Sequence, residues 1–196
     1  MTFKMPTVEE FTQQLKSMGV GKETRVICYD NNDGTMAARG AFLLTVFGVK
    51  VVSILNGKFS TWCPPSAEEY KAVDKASGAS FEFVQDTKMT STDAEIKEIA
   101  EGRSQVQLVD VRGEVAFKKS SIPNSKHMPY TSVMSNHALK ETREIIEAFK
   151  NAGIDTNKQM IFIGGAGAAA VKAAADHIGL PGQCKLFDVN VPDWIT

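Results

Sequence analysis

The chain has 196 residues, 43% of them hydrophobic and 23% charged, with a formal net charge of −1. That suffices for one full core or two small ones, and gives no electrostatic reason to bind nucleic acid or an acidic membrane. No apolar run approaches a membrane span, and "MTFKMPTVEE" has neither a signal-peptide core nor an Arg-rich presequence, so an intracellular protein, mitochondrial or cytoplasmic, is expected.

Thr7-x-x-Glu10 is a capping box that predicts a helix with Val8, Phe11, Leu15 and Met18 on its apolar face, ended by Gly19. "RVICYD" (25–30) is an apolar strand of the kind buried on both faces. "NNDG" turns the chain into a helix from about 35 to Phe47, stopped by Gly48, and "KVVSIL" is the next strand. Pro64-Pro65 opens a linker with a short helix after it, and "FEFV" (81–84) predicts a short strand. Thr92-x-x-Glu95 caps a helix carrying Ile96 and Ile99, and "VQLVDVR" is a buried strand. "SSIPNSKHMPY" is a loop with a short extended piece; Leu139, Ile146 and Phe149 mark the following helix. "MIFI" is a strand, "GGAGAAAVKAAAD" a glycine turn into an alanine-rich helix, and a strand around Leu186 closes the pattern. Alternating strands and helices imply parallel sheets and an α/β fold.

Two segments of this pattern repeat. "GVGKETRVICYD" (19–30) overlays "GIDTNKQMIFIG" (153–164), and "LNGKFSTW" (55–62) overlays "FDVNVPDW" (187–194). Upstream, Phe11, Leu15 and Met18 overlay Ile145, Phe149 and Ala152. The chain therefore holds two copies of one helix–strand–helix–strand unit, roughly 130 residues apart. The expected division is a partial domain over 1–63 (a C-terminal half), a linker over 64–80, and a complete domain over 81–196. No counterpart of 91–138 precedes the first copy, so the strand at 25–30 is expected to present an open edge, completed by a protein partner or by close docking on the second domain.

With these features in view, the chain resembles the two-domain rhodanese and mercaptopyruvate sulfurtransferase family. Asp110, Arg112, Ile122, Pro123, Pro129 and Tyr130 match its Asp-x-Arg strand end, its Ile-Pro-Gly-Ala loop and its Pro-Tyr. Ser121 stands where the family usually has His, and Asn124-Ser125 where it has Gly-Ala. Ala37-Ala38-Arg39 and the acid ending the first strand are similar to the family's non-catalytic N-terminal domain. The implied fold is two rhodanese-like parallel-sheet α/β domains, the first incomplete.

The resemblance also locates the catalytic loop. Its first residue is the cysteine that carries sulfur as a persulfide, in a common Cys-Gly-Ser-Gly-Val-Thr-Ala pattern. The matching residues are Gly164, Gly165, Ala166, Gly167, Ala168, Ala169 and Ala170, with no nucleophile and no hydroxyl. Sulfur transfer needs a thiolate, so the resemblance implies a pseudoenzyme without catalytic residues, acting as a binding or structural subunit of a larger assembly. Cys28, Cys63 and Cys184 are widely spaced and read as incidental thiols, and His127, His137 and His177 have no metal-ligand spacing. No metal and no cofactor are expected. Two enzyme readings stand beside this. One is residual sulfurtransferase activity toward thiosulfate or 3-mercaptopyruvate. The other is an anion or dinucleotide site on the 164–170 loop, where Gly165-x-Gly167-x-x-Ala170 would approach a pyrophosphate and Asp188 hold a ribose.

Overall fold

Residues 4–62, 83–180, 184–188 and 191 are described by the structure, a computed structural model. Helix α1 (Val8–Ser17) opens through the expected box: the Thr7 hydroxyl accepts the Glu10 N–H, and the Glu10 carboxylate accepts the Thr7 N–H. Its buried face is narrower than the sequence pattern, with Phe11 and Leu15 inside but Val8 and Met18 exposed. Strand β1 (Arg25–Cys28), helix α2 (Thr35–Val46) and strand β2 (Val51–Ile54) form a parallel unit, in register from Arg25 opposite Val51 to Cys28 opposite Ile54. One turn of helix, α3 (Phe59–Trp62), follows.

The linker over 64–80 and its expected helix lie outside the described residues, as do Phe81 and Glu82. The remaining half of "FEFV" is not a strand. Phe83 is instead buried in the main core while the chain passes α2, where the Asp86 N–H donates to the Val46 carbonyl at 2.7 Å. Helix α4 (Asp93–Ala100), capped by Thr92 and Glu95, leads to strand β3 (Gln107–Asp110). Helix α5 (Glu114–Lys119) was not anticipated by any pattern in the sequence. Strand β4 (Lys126–His127) is the expected short extended piece.

Two further strands, β5 (Met134–Ser135) and β6 (Ala138–Leu139), make an antiparallel hairpin around Asn136 and His137, both at positive φ. The hairpin removes Leu139 from the helix it was expected to begin. Helix α6 (Thr142–Asn151) buries Phe149, as expected, and Ile145, which the overlay picked out, but leaves Ile146 exposed. Strand β7 (Met160–Ile163), helix α7 (Ala166–His177) and strand β8 (Cys184–Phe187) complete the described elements.

Apart from that hairpin the described sheets are parallel, as the alternation requires: β1–β2 in one and the order β4–β3–β7–β8 in the other. The repeat is visible in the turns. Past Gly19 the Val20 N–H donates to Leu15, and past Gly153 the Ile154 N–H donates to Phe149, at 2.9 and 3.0 Å. The two copies differ in burial. Every residue of β3 and β7 is buried, whereas β1 and β2 alternate exposed and half-buried. One face of the smaller sheet carries no layer among the described residues, so "RVICYD", a strand of the kind buried on both faces, is covered here on one.

One core joins the halves. Phe11 and Phe47, with ring centroids 4.6 Å apart, belong to the same buried cluster as Phe149, Phe162 and the alanines of α7. Helices α2 and α7 meet through small side chains, Ala38 on one and Ala169, Ala170 and Ala174 on the other, which lets the backbones approach closely. Among the described residues, no helix is long and apolar enough to cross a membrane.

Candidate functional site

Strand β7 ends at Ile163 with a sharp turn into α7, and its geometry depends on glycine. Gly164 has φ +134° and Gly165 φ +62°, values that side-chain-bearing residues rarely adopt. A Cβ built on Gly164 would lie 2.9 Å from Val111 Cγ2, 3.1 Å from Arg112 Cγ and 3.3 Å from the Arg112 nitrogen. A side chain at this position would have to displace the loop that leaves β3. Residues 166–170, at the start of α7, are all buried. Gly167 lies under the Tyr130 ring, which a Cβ there would meet at 3.2 Å.

The Asp-x-Arg pair at the end of β3 holds that neighbouring loop. Asp110, fully buried, accepts from the Arg112 N–H at 3.0 Å and from Nη2 at 2.6 Å, and Arg112 Nη2 also donates to the Ser120 carbonyl. His127 Nε2 lies 2.8 Å from the Arg112 carbonyl. These bonds run within the loop, so the pair fixes its shape. Asn124, in place of the usual glycine, adopts φ +62°; Asn tolerates this conformation better than most residues. Its side chain donates to the carbonyls of Ile99 and Ala100 at 3.2 and 3.0 Å, capping α4.

In the first copy the corresponding turn is filled from within. Asp30 overlays Gly164, and its carboxylate accepts the N–H groups of Asn32, Gly34 and Ala37 at 2.8, 3.0 and 2.9 Å. The start of α2 thus carries its own anion.

Tyr130 joins the two turns. Its hydroxyl donates to Asp33 Oδ2 at 3.0 Å, and Asp33 Oδ1 accepts from the backbone and side chain of Thr35. Burial acts to raise the Asp33 carboxyl, but the bonds from Thr35 and Tyr130 outweigh it and hold it below its usual value. The bond to Asp33, with burial, pushes the Tyr130 phenol up. The contribution of Asp33 is therefore present above the unfolded carboxylate value and lost as pH falls through the lower folded one. That of Tyr130 is present below about 10 and lost as pH rises through its raised folded value. Tyr130→Phe should cost about 1 kcal/mol near neutral pH, read by urea unfolding. The cost should shrink at acid pH, and equal cost at every pH would remove Asp33 as the partner.

The other candidates are dispersed. Asp188, considered as a ribose ligand, instead forms a two-pronged ion pair with Arg39 of α2, at 2.7 and 2.8 Å, with both side chains almost fully buried. Its carboxylate oxygens are thus engaged across the junction of the halves. Nothing in the sequence pairs these two residues, since 149 positions separate them. Cys28 is half-buried in β1, and burial raises its thiol. Cys184 is buried in β8, and burial pushes its thiol up to about 11. Neither is poised as a thiolate at neutral pH. Cys63 lies outside the described residues. Among the described residues no group of three or more His, Cys, Asp or Glu is placed to hold a metal ion.

Comparison with known proteins identifies the fold. The family model described as Rhodanese-like domain matches residues 92–194. The chain is 27% identical to the 3-mercaptopyruvate sulfurtransferase of Escherichia coli K12 over 207 residues, covering 97% of this chain and 72% of that protein. Its fold is that of SseA from Escherichia coli, with a TM-score of 0.83 at 24% identity over 93% of this chain and 72% of the other. It is similarly close to the sub-stoichiometric sulfur transferase subunit of yeast mitochondrial complex I, with a TM-score of 0.81 at 19% identity over 97% of this chain and 74% of the other.

Proposed function

The chain belongs to the rhodanese-like domain family, and from that premise we propose that it is a catalytically inactive sulfurtransferase homologue serving as a binding subunit of a larger protein assembly. The observation that carries the proposal is Gly164. It stands at the position of the family's cysteine, where a Cβ would strain the backbone and press on Val111 and Arg112. A persulfide carrier needs a sulfur atom there, and the hydroxyls of the pattern are replaced by the buried Ala166 and Ala169. The division into a partial domain (1–63), a linker (64–80) and a complete domain (81–196) belongs to the same reading. A partner engages the 25–30 strand. The likeness to a subunit of a mitochondrial complex supports both the assembly role and a mitochondrial location.

A second reading, residual sulfur transfer, is favoured by the activity named for the Escherichia coli relative. One experiment separates the two. The purified chain is given thiosulfate or 3-mercaptopyruvate alone, with intact mass followed for a persulfide adduct of 32 Da, the mass of one sulfur atom to about the nearest dalton, and then cyanide, with thiocyanate followed as product. No adduct and no thiocyanate above a protein blank is the expected result. Turnover abolished by Cys28→Ser, Cys63→Ser or Cys184→Ser would establish the second reading instead.

A further inference from the structure

The turn that ends β2 carries the chain's one asparagine followed by glycine, Asn56-Gly57. Every other asparagine precedes a residue with a side chain, which crowds the backbone nitrogen behind it. Gly57 is unencumbered. It has φ +129°, a conformation that residues with a Cβ rarely adopt. A Cβ built on it would meet nothing within 4 Å. Its N–H donates to no acceptor among the described residues. Asn56 itself is exposed, and its Oδ1 accepts the Leu139 N–H at 2.8 Å.

The chemistry open to such a pair is an internal displacement. Loss of the Gly57 N–H proton to hydroxide leaves a nitrogen that attacks Asn56 Cγ. The bond from Cγ to the side-chain nitrogen breaks, ammonia leaves, and a five-membered succinimide closes. Water then opens the ring at either carbonyl, giving aspartate or, with the backbone rerouted through the side chain, isoaspartate. One water is consumed, one ammonia is released, and nothing is oxidised or reduced. The Leu139 N–H donates to the oxygen that gains negative charge as the nitrogen adds, which favours that step. Asp33-Gly34 is the internal contrast, since an aspartate can close the same ring. There the Gly34 N–H donates to Asp30 at 3.0 Å, and Thr35 and Tyr130 hold the Asp33 carboxylate. One pair is free to react and the other is locked.

Position 56 lies where the two halves meet. The hairpin β5–β6 rests on the first copy at Gly34, where a Cβ would meet Met134 Cε at 2.8 Å, and at Asn56 through Leu139. The equivalent position of the second copy, Asp188, reaches back across the junction to Arg39. We propose that Asn56-Gly57 is a site of spontaneous modification, at which conversion to isoaspartate releases the hairpin from the end of β2. The new linkage adds one carbon to the backbone and so shifts the acceptor away from the Leu139 N–H. The end of β2 then loses its tie to the hairpin, while the Arg39–Asp188 pair continues to hold the halves together.

The test is to incubate the full purified chain at mildly alkaline pH, with the same chain unfolded in urea beside it. Peptide mapping follows the gain of about 1 Da that replaces the amide by a carboxyl, and enzymatic methylation counts isoaspartate. In the folded chain Asn56 should convert about tenfold or more faster than any other asparagine and than Asp33. The rate should rise with pH as the Gly57 nitrogen deprotonates. Asn56→Gln, at this exposed site, keeps the amide but needs a larger ring, and should abolish the conversion. In the isoaspartyl chain the Leu139 amide should exchange about tenfold faster, with the amides of β7 unchanged. No conversion at Asn56 in the folded chain, whether or not the unfolded chain converts, would overturn the proposal. So would conversion of Asp33 at an equal rate, or an isoaspartyl chain whose Leu139 amide exchanges as before.

Discussion

A Gly164→Cys variant should be less stable than the parent chain and should still transfer no sulfur. The φ of +134° at this position strains any residue with a Cβ, at about 1–3 kcal/mol. The approach to Val111 at 2.9 Å and to the Arg112 backbone at 3.3 Å adds an overpacking cost of a similar size. Arg112 cannot simply swing aside, because the buried Asp110 and the Ser120 carbonyl hold its guanidinium. Together these predict a loss of about 2–5 kcal/mol, or roughly 5–15 °C in melting temperature for a chain of this size. Gly164→Ala should lose a comparable amount, which marks the penalty as belonging to the Cβ and not to the thiol. A Gly164→Cys protein that melts with the parent and turns over thiosulfate would show that the turn can return to a catalytic geometry.

Removing Arg39 should be about as damaging, for a different reason. Arg39→Ala leaves the Asp188 carboxylate almost fully buried with its partner gone, and Asp188→Ala does the reverse. Breaking such a pair from one side costs about 3–5 kcal/mol, because the surviving charge has lost its compensation. The double change Arg39→Met with Asp188→Leu should recover most of that loss. Urea unfolding of the two single variants and the double variant measures the coupling. Single-variant costs under about 1 kcal/mol would mean that water reaches the pair and solvates the remaining charge.

What could be read in the sequence was local, or was stated twice. Thr7-x-x-Glu10 and Thr92-x-x-Glu95 each place donor and acceptor within one helical turn, and both boxes form. Gly19 and Gly153 end their helices with the same hydrogen bond, so the overlay of the copies holds in three dimensions. The reading of Gly164 as a missing nucleophile needs only the residue's identity and the resemblance. The hairpin at Asn136-His137 was not legible, because its turn puts His137 at φ +68° where glycine would have announced it. Without the hairpin, Leu139 joined a false helical phase with Ile146, whereas the overlay on Phe11 and Leu15 picked out the buried pair, Ile145 and Phe149. The bonds that shape the candidate site, Tyr130 to Asp33 and Arg39 to Asp188, link residues 97 and 149 positions apart. No periodicity encodes partners at that distance.

The Arg39–Asp188 pair bears on the order in which the molecule assembles. Residue 39 is synthesised long before residue 188, yet its buried guanidinium finds its carboxylate only at the far end of β8, and α2 finds its packing surface only on α7. The first β–α–β unit therefore cannot finish folding as it leaves the ribosome. It must wait, with Ala38 and Phe42 unburied, until the last strand has been made. Long-range closure of this kind slows folding and prolongs the exposure of apolar surface. Until β8 has been made, the early half of the chain keeps this apolar surface open to association with other chains.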